Sequence, residues 1–242
     1  MENTIYLGLS RQMTLQTNMD IIANNVANAT TPGYRSQNLL FQEFISDPQG
    51  ADDELSFVYN EGQYDTTAPG SVRQTGNPLD IAILGPGFIG VNAPGGQTAY
   101  TRAGNLSLTP EGTIITPAGF EVSGDGGGNV IVPPGSREVN IAENGDVSTE
   151  NGIIGRISLV EFANLQELRP FGDNLYTSDT PGVPAVESRI SQGHLEGSNV
   201  NPITETTKMI ANLRTFQSVN NLLEGENGRL RTAIRELTGQ GN

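Results

Sequence analysis

Two stretches of the chain repeat their apolar residues every three or four positions, and a long stretch of short apolar runs separates them. Near the N-terminus Ile5, Gly8, Gln12, Leu15, Met19, Ile22 and Val26 follow alternating steps of three and four. That rhythm marks one face of an α-helix, and of a coiled-coil seam in particular. The helix is expected to end between Asn28 and Gly33 in ANNVANATTPGYR. Asparagines are weak helix formers, and Thr31-Pro32-Gly33 joins a disfavoured pre-proline residue to a turn.

The second run is longer: Met209, Leu213, Phe216, Asn220, Leu223, Asn227, Leu230, Ile234 and Leu237 step by four and three throughout, and seven of the nine are apolar. Such a narrow seam predicts a coiled-coil helix, since a globular core helix shows a broader apolar face. With Met209 at d, Leu213 falls at a, and so do Asn220 and Asn227. A polar a residue lowers stability in exchange for a defined register and partner number, or else faces a polar neighbour.

Between these helices the signals are those of strands. SFVYN, PLDIAIL, GFIGVN, AYTRAGNLSL, GTIITP, GFEVSG, NVIVPP, REVNIA, GDVST and RISLVEF are short segments rich in β-branched and aromatic residues, bounded by Gly, Pro, Asn or Asp. Turns such as Thr109-Pro110-Glu111-Gly112 and Thr116-Pro117-Ala118-Gly119 follow within a few residues of one another. Spacing that tight favours antiparallel hairpins, because a parallel crossover needs a dozen or more residues. The expected architecture is a mainly β, antiparallel, turn-rich central domain over 36–200. It is flanked by helices over 1–35 and 201–242 that pair as a coiled coil.

Composition fits this picture. The 242 residues include 30 glycines and 14 prolines, which rules out long uninterrupted helix through most of the chain. No cysteine is present, so disulfides, thiolate metal sites and cysteine nucleophiles are excluded. The opening MENTIYLGLSRQM lacks the basic and apolar regions of a Sec signal, and no run approaches the ~20 apolar residues of a membrane span. Charge is unevenly spread. Residues 1–35 hold two acids and two arginines, and residues 201–242 hold four acids against Lys208 and four arginines. The remaining charge of −15, within a total of −14, lies on 36–200. An acidic middle between neutral ends disfavours nucleic acid as a partner and leaves the ends free to pack together.

The chemical alternatives are thin. Gly85-Pro86-Gly87-Phe88-Ile89-Gly90 spells the G-x-G-x-x-G of a dinucleotide loop. That loop works only when it opens a helix whose N-terminal amides meet a pyrophosphate. Here VNAPGGQTAYTR follows, with Pro94, Gly95 and Gly96 barring a helix, so the glycines are read as serving sheet geometry. His194, the lone histidine, sits in the loop-like SQGHLEGS, and neither Asp52-Asp53-Glu54 nor Asp125 with Asn129 has calcium-loop spacing. No catalytic, cofactor-binding or metal residue and no small-molecule substrate is assigned. An exported β-rich hydrolase using two carboxylates is the rival from another class, and it requires a cleft holding a carboxyl of raised pKa. A β-rich adhesin is a third reading, but it gives no reason for apolar seams at both ends.

Residues 77–124, NPLDIAILGPGFIGVNAPGGQTAYTRAGNLSLTPEGTIITPAGFEVSG, carry a denser signal. This stretch resembles the central motif of the bacterial flagellar rod and hook proteins, which runs roughly LDxAIxGxGFFxV, YTRxGxF, GxLxT and GxxV. ANNVANATTPGYR is similar to that family's N-terminal signature, and LEGSNVNPITETTKMIANLRTFQSVNNLL to its C-terminal one. Ile89 departs from the pattern, which commonly has a second aromatic after Phe88. Length, the opening segment and the short connection after Tyr34 resemble the proximal-rod branch most, with the distal-rod branch as its rival.

The resemblance implies a structural subunit that polymerises with copies of itself and with other rod proteins. It also implies passage through the flagellar export apparatus without a cleaved signal, to a basal-body rod spanning the periplasm. The resemblance implies the tube, and the heptads and neutral ends imply which parts meet: the expected assembly interface is the two seams, Ile5, Leu15, Met19, Ile22 and Val26 with Met209, Leu213, Phe216, Asn220, Leu223, Asn227, Leu230, Ile234 and Leu237.

Overall fold

The computed structural model describes residues 2–46, 55–65 and 67–237, with side chains described over 5–40 and 67–237. The chain divides into two compact units. One gathers Met1–Ala27, Gln37–Thr66 and Asn201–Asn242, and the other Asn28–Ser36 and Thr67–Val200.

The first unit contains α1 (Glu2–Ala27), β1 (Gln37–Ser46), β2 (Leu55–Asp65) and α2 (Pro202–Leu237). α1 stops just before Asn28, the start of the expected break. α2 begins on a cap: Asn201 Oδ1 accepts from the N–H groups of Ile203 at 3.1 Å and Thr204 at 3.2 Å. Pro202 fills the first helical position, where its missing N–H costs nothing. With 36 residues, α2 is about 54 Å long. β1 and β2 form an antiparallel ribbon running from Gln37↔Asp65 to Ser46↔Leu55, with a bulge between Leu40 and Phe41. A two-stranded ribbon is marginal alone, and this one packs both strands against α1. The sequence pattern marked only SFVYN within it and placed it in the β region; its contacts group it with the helices.

The second unit is the β unit. Its strands are β3 (Val72–Gln74), β4 (Ile81–Leu84), β5 (Phe88–Asn92), β6 (Thr98–Thr101), β7 (Ser107–Leu108), β8 (Ile114–Ile115), β9 (Glu121–Val122) and β10 (Asn140–Ile141). There follow β11 (Asp146–Thr149), β12 (Gly152–Arg156), β13 (Leu159–Glu161), β14 (Arg169–Gly172), β15 (Leu175–Thr177), β16 (Val183–Pro184), β17 (Arg189–Gln192) and β18 (His194–Glu196). The largest sheet runs β14-β15-β6-β5-β9-β8-β7, with β13 joining β5 to β16. Pairings between the described strands are antiparallel throughout. Both expected proline turns close as hairpins, with Gly112 N–H donating to Thr109 C=O and Gly119 N–H to Thr116 C=O, each at 2.9 Å. The last two strands pair with the first two, β18 with β3 and β17 with β4, which closes the unit.

Alternation on β5 feeds two cores. Ile89 and Val91 point into an aliphatic cluster with Ile81, Ile114, Val122, Val147 and Ile190, each at most 1% exposed. Phe88 points the other way, edge-on to Phe162 at 5.9 Å and Tyr176 at 5.8 Å. This explains the departure at position 89, which faces branched aliphatics, while the aromatic contacts fall to Phe88.

Candidate assembly interface

The two long helices of the first unit pack antiparallel, as three contacts show. Asn25 Nδ2 donates to Glu205 Oε2 at 3.2 Å, Asn212 Nδ2 donates to the Leu15 carbonyl at 2.8 Å, and Gly8 lies against Leu223. As α1 is followed backwards, its partners advance along α2. At Gly8 the helices come so close that a Cβ would stand 2.6 Å from Leu223 Cδ2.

The face of α2 turned from solvent is Glu205, Met209, Asn212, Phe216, Val219, Leu223, Glu226, Leu230 and Ala233, all buried or half-buried. It again steps by four and three, but it coincides with only half of the expected seam. The d residues Met209, Phe216, Leu223 and Leu230 lie on it, and the second line is g in place of a. The a line is open at Leu213, 43% exposed, and Ile234, 59%, and the terminal d residue Leu237 is 87% exposed. Asn227 is exposed, and half-buried Asn220 donates to its own helix, at Glu224 Oε1, 3.1 Å away. On α2, the buried amide that meets the opposite helix is Asn212, at g. On α1, Leu15 and Ile22 are buried, and Ile5, Met19 and Val26 half-buried. Tyr6, Leu9 and Met13, spaced i, i+3, i+7, form a further exposed stripe that the seam pattern passed over.

Asn25 is 1% exposed and ties three elements together. Its Oδ1 accepts from the Gln37 N–H at 2.9 Å while its Nδ2 donates to the Gln37 carbonyl at 2.8 Å, so one side chain pairs both backbone groups at the start of β1. Glu205 in turn accepts from Lys208 Nζ at 2.6 Å. In the sequence Asn25 reads only as a poor helix former; its role needs a partner 180 positions away.

In the β unit the glycine loop does the reverse of what its fingerprint suggests. The guanidinium of Arg102, fully buried, donates to the carbonyls of Ile83 at 3.0 Å, Gly85 at 3.0 Å and Gly87. The loop thus presents oxygens to a cation, where a dinucleotide loop presents N–H groups to an anion. Gly85 sits at φ +113°, and a Cβ there would meet Ser188 at 2.8 Å, so a bare residue is required. The charge is balanced by Glu196, whose Oε2 lies 2.7 Å from Arg102 Nη2 with both side chains at most 2% exposed. Phe88 lies under the same guanidinium at 5.6 Å. The Glu196 carbonyl accepts from Gly33 N–H at 2.9 Å, and a Cβ on Gly33 would run into the Arg102 backbone.

Among the described residues no group of three His, Cys, Asp or Glu side chains could hold a metal ion, and no helix is long and apolar enough to cross a membrane. His194 opens β18 instead of lying in a loop as its sequence suggested, and its Nδ1 faces Ser191 Oγ at 3.1 Å and the Gln192 carbonyl at 2.9 Å, both on the adjoining β17. A groove of about 570 Å³ is bordered by Asp125, Glu143, Arg156, Ser188 and Arg189. Asp146 and Glu161 lie near it without bordering it, and both have lowered pKa values. Hydrogen bonds from Arg156, then Asn144, lower the pKa of Asp146. Burial would raise Glu161, but hydrogen bonds from Ser188 and from backbone N–H groups outweigh it and lower the pKa.

Comparison with known proteins accounts for this arrangement. Residues 5–35 match the family described as flagella basal body rod protein, 82–149 the flagellar hook protein FlgE/F/G D1 domain, and 191–236 the flagellar basal body rod FlgEFG protein C-terminal region. The chain is 39% identical over 242 residues to the flagellar basal-body rod protein FlgF of Caulobacter vibrioides, covering 98% of each chain. The chain belongs to the flagellar basal-body rod protein family. FlgF of Mesorhizobium japonicum is 31% identical, again over 98% of both chains, and the rod protein FlgG of Bacillus subtilis is 33% identical over 90% of this chain and 92% of its own. The three matched segments of this rod-family chain meet at one place in the β unit, with Gly33 from the first, Arg102 from the second and Glu196 from the third. The sequence quoted all three motifs but gave none of these residues a role, because an ion pair between positions 94 apart has no local periodicity.

Proposed function

We propose that this chain is a structural subunit of the proximal flagellar rod, polymerising through its terminal helices into a tubular drive shaft. Residues 1–35 and 201–242 pair as an antiparallel coiled coil toward the inner wall, and 36–200 supply the outer wall. Its partners are copies of itself, other rod proteins and, on the way out, the flagellar export apparatus. Its place is the basal body between inner and outer membranes, and it performs no catalysis. The near-complete mutual coverage with FlgF relatives, against 84–90% coverage of the chain by FlgG relatives, favours the proximal over the distal rod.

The observation that carries this reading is the open a line of α2. A helix already paired through d and g leaves the a residues Leu213 and Ile234 partly in water, which is unfavourable by up to roughly 1.5–3 kcal/mol per side chain unless a neighbouring helix covers them. Exposed positions tolerate charge in the monomer, so Leu213→Glu with Ile234→Glu should leave thermal unfolding of the purified chain unchanged. In cells the same pair should abolish rod assembly and swimming. Normal rods in basal bodies carrying the double variant would sink the proposed interface.

A further inference from the structure

The chain passes between its two units four times, after Ala27, Ser36, Thr66 and Val200. On the β-unit side, the segments next to three of these passages are bonded to one another. Asn199 is the centre: its Oδ1 accepts from Ser36 N–H at 2.7 Å, its Nδ2 donates to the Ala68 carbonyl at 2.8 Å, and its own N–H donates to the Tyr34 carbonyl at 3.3 Å. Arg35 Nη1 adds a bond to the Thr67 carbonyl at 2.7 Å. Glu196 repeats the pattern one step further in, accepting from Gly33 N–H through its carbonyl and from Gly70 N–H at 3.0 Å through Oε1, while its other oxygen holds Arg102.

Apart from the start of this knot at the end of β18, none of these residues lies in a strand, so no sheet ladder enforces the bonds. Each such bond stabilises little by itself, but bonds that share partners order one another, and losing one loosens the rest. Glu196 anchors the set to a buried charge that is strongly disfavoured from standing unpaired in the core.

Building on the rod reading, we propose that Asn199, with Glu196 and Arg35, forms a clasp binding residues 33–36, 67–70 and 196–199 into one base that takes up torque. Force passed along any one of these segments then enters the β unit through all three and the Arg102 anchor, so that no single strand carries it. Asn199 is a positioning residue, and the clasp matters under torque more than for folding.

The test uses the full-length chain with Asn199→Ala. Backbone amide exchange should become about tenfold faster at Ser36, which loses its acceptor, and also at Gly70, which Asn199 does not touch; Val91 in β5 should be unchanged. In cells the variant should form rods and swim in dilute medium but lose swimming in viscous medium that the parent tolerates. Faster exchange confined to Ser36, or parental swimming under load, overturns the clasp. Should Val91 also loosen, Asn199→Asp decides, since it keeps the acceptor for Ser36 and loses only the donor to Ala68. Unfolding of both variants overturns the proposal by making Asn199 a folding residue. These results are separable from failure of the rod reading itself, which would appear as normal swimming and normal rods in cells lacking the chain.

Discussion

At Arg102, 1% exposed, the β unit buries a full charge beside its apolar clusters. The guanidinium's five donors meet one carboxylate and three backbone carbonyls, a demand that only a planar guanidinium satisfies. Replacing Glu196 by Gln keeps the shape and removes the countercharge, leaving a buried cation uncompensated. The expected loss is about 3–5 kcal/mol, read as a lower urea midpoint followed by tyrosine fluorescence, with an unaltered slope. A change below about 1 kcal/mol would mean that the carbonyl cradle alone carries the charge. The lesson for motif reading is physical. G-x-G marks a backbone that can approach something closely, and whether it offers N–H or C=O is set by the next element. Here that is a strand, so the loop has no helix N-terminus to aim at a ligand.

At the level of elements, the helix pair is set by Gly8, Asn212 and Asn25 more than by the leucine count. A glycine inside a helix costs up to about 1 kcal/mol relative to alanine, and Gly8 is kept where α1 touches Leu223. Gly8→Ala gains that propensity but must turn aside a methyl group 2.6 Å away, at the flexible end of Leu223, so the two effects should nearly cancel. Gly8→Leu has no such escape and should lower the melting of the helical circular dichroism signal, by about 1–3 kcal/mol of stability. Equal melting of the Gly8→Leu and parent chains would show that the helices do not depend on this approach. Of the asparagines at a, Asn227 is exposed and Asn220, half-buried, bonds Glu224 on its own helix, so neither is shown holding α1.

Among the residues whose side chains are described, two buried clusters lie in the β unit, whereas α2 has only Glu205 and Asn212 buried along its 36 residues. Stability should be distributed the same way, with α2 opening locally well below the global unfolding energy. Limited proteolysis of the dilute monomer should cut first within 213–237 and leave a resistant fragment ending near Val200. Mass spectrometry of the fragments checks this, and early cuts within β5 or β6 would contradict it. Such loosely held helices suit a subunit whose ends are completed by its neighbours.

Helix, short antiparallel strands and helix were legible in the residues alone, because each rests on local terms: apolar period, capping, and turns closed by Pro and Gly. The break after α1 and the hairpins at Thr109 and Thr116 are local in the same sense. The three family motifs were also legible, since they are strings. What needed the tertiary structure was every choice among equivalent faces and partners. A strict four-three seam is flanked by two further lines, and only the docking of α1 selects g over a on α2. The ribbon's grouping with the helices, the use of Asn25 to hold Gln37, and the meeting of Gly33, Arg102 and Glu196 depend on contacts between distant positions. No local pattern encodes such contacts, because their energy exists only once the chain has folded around them.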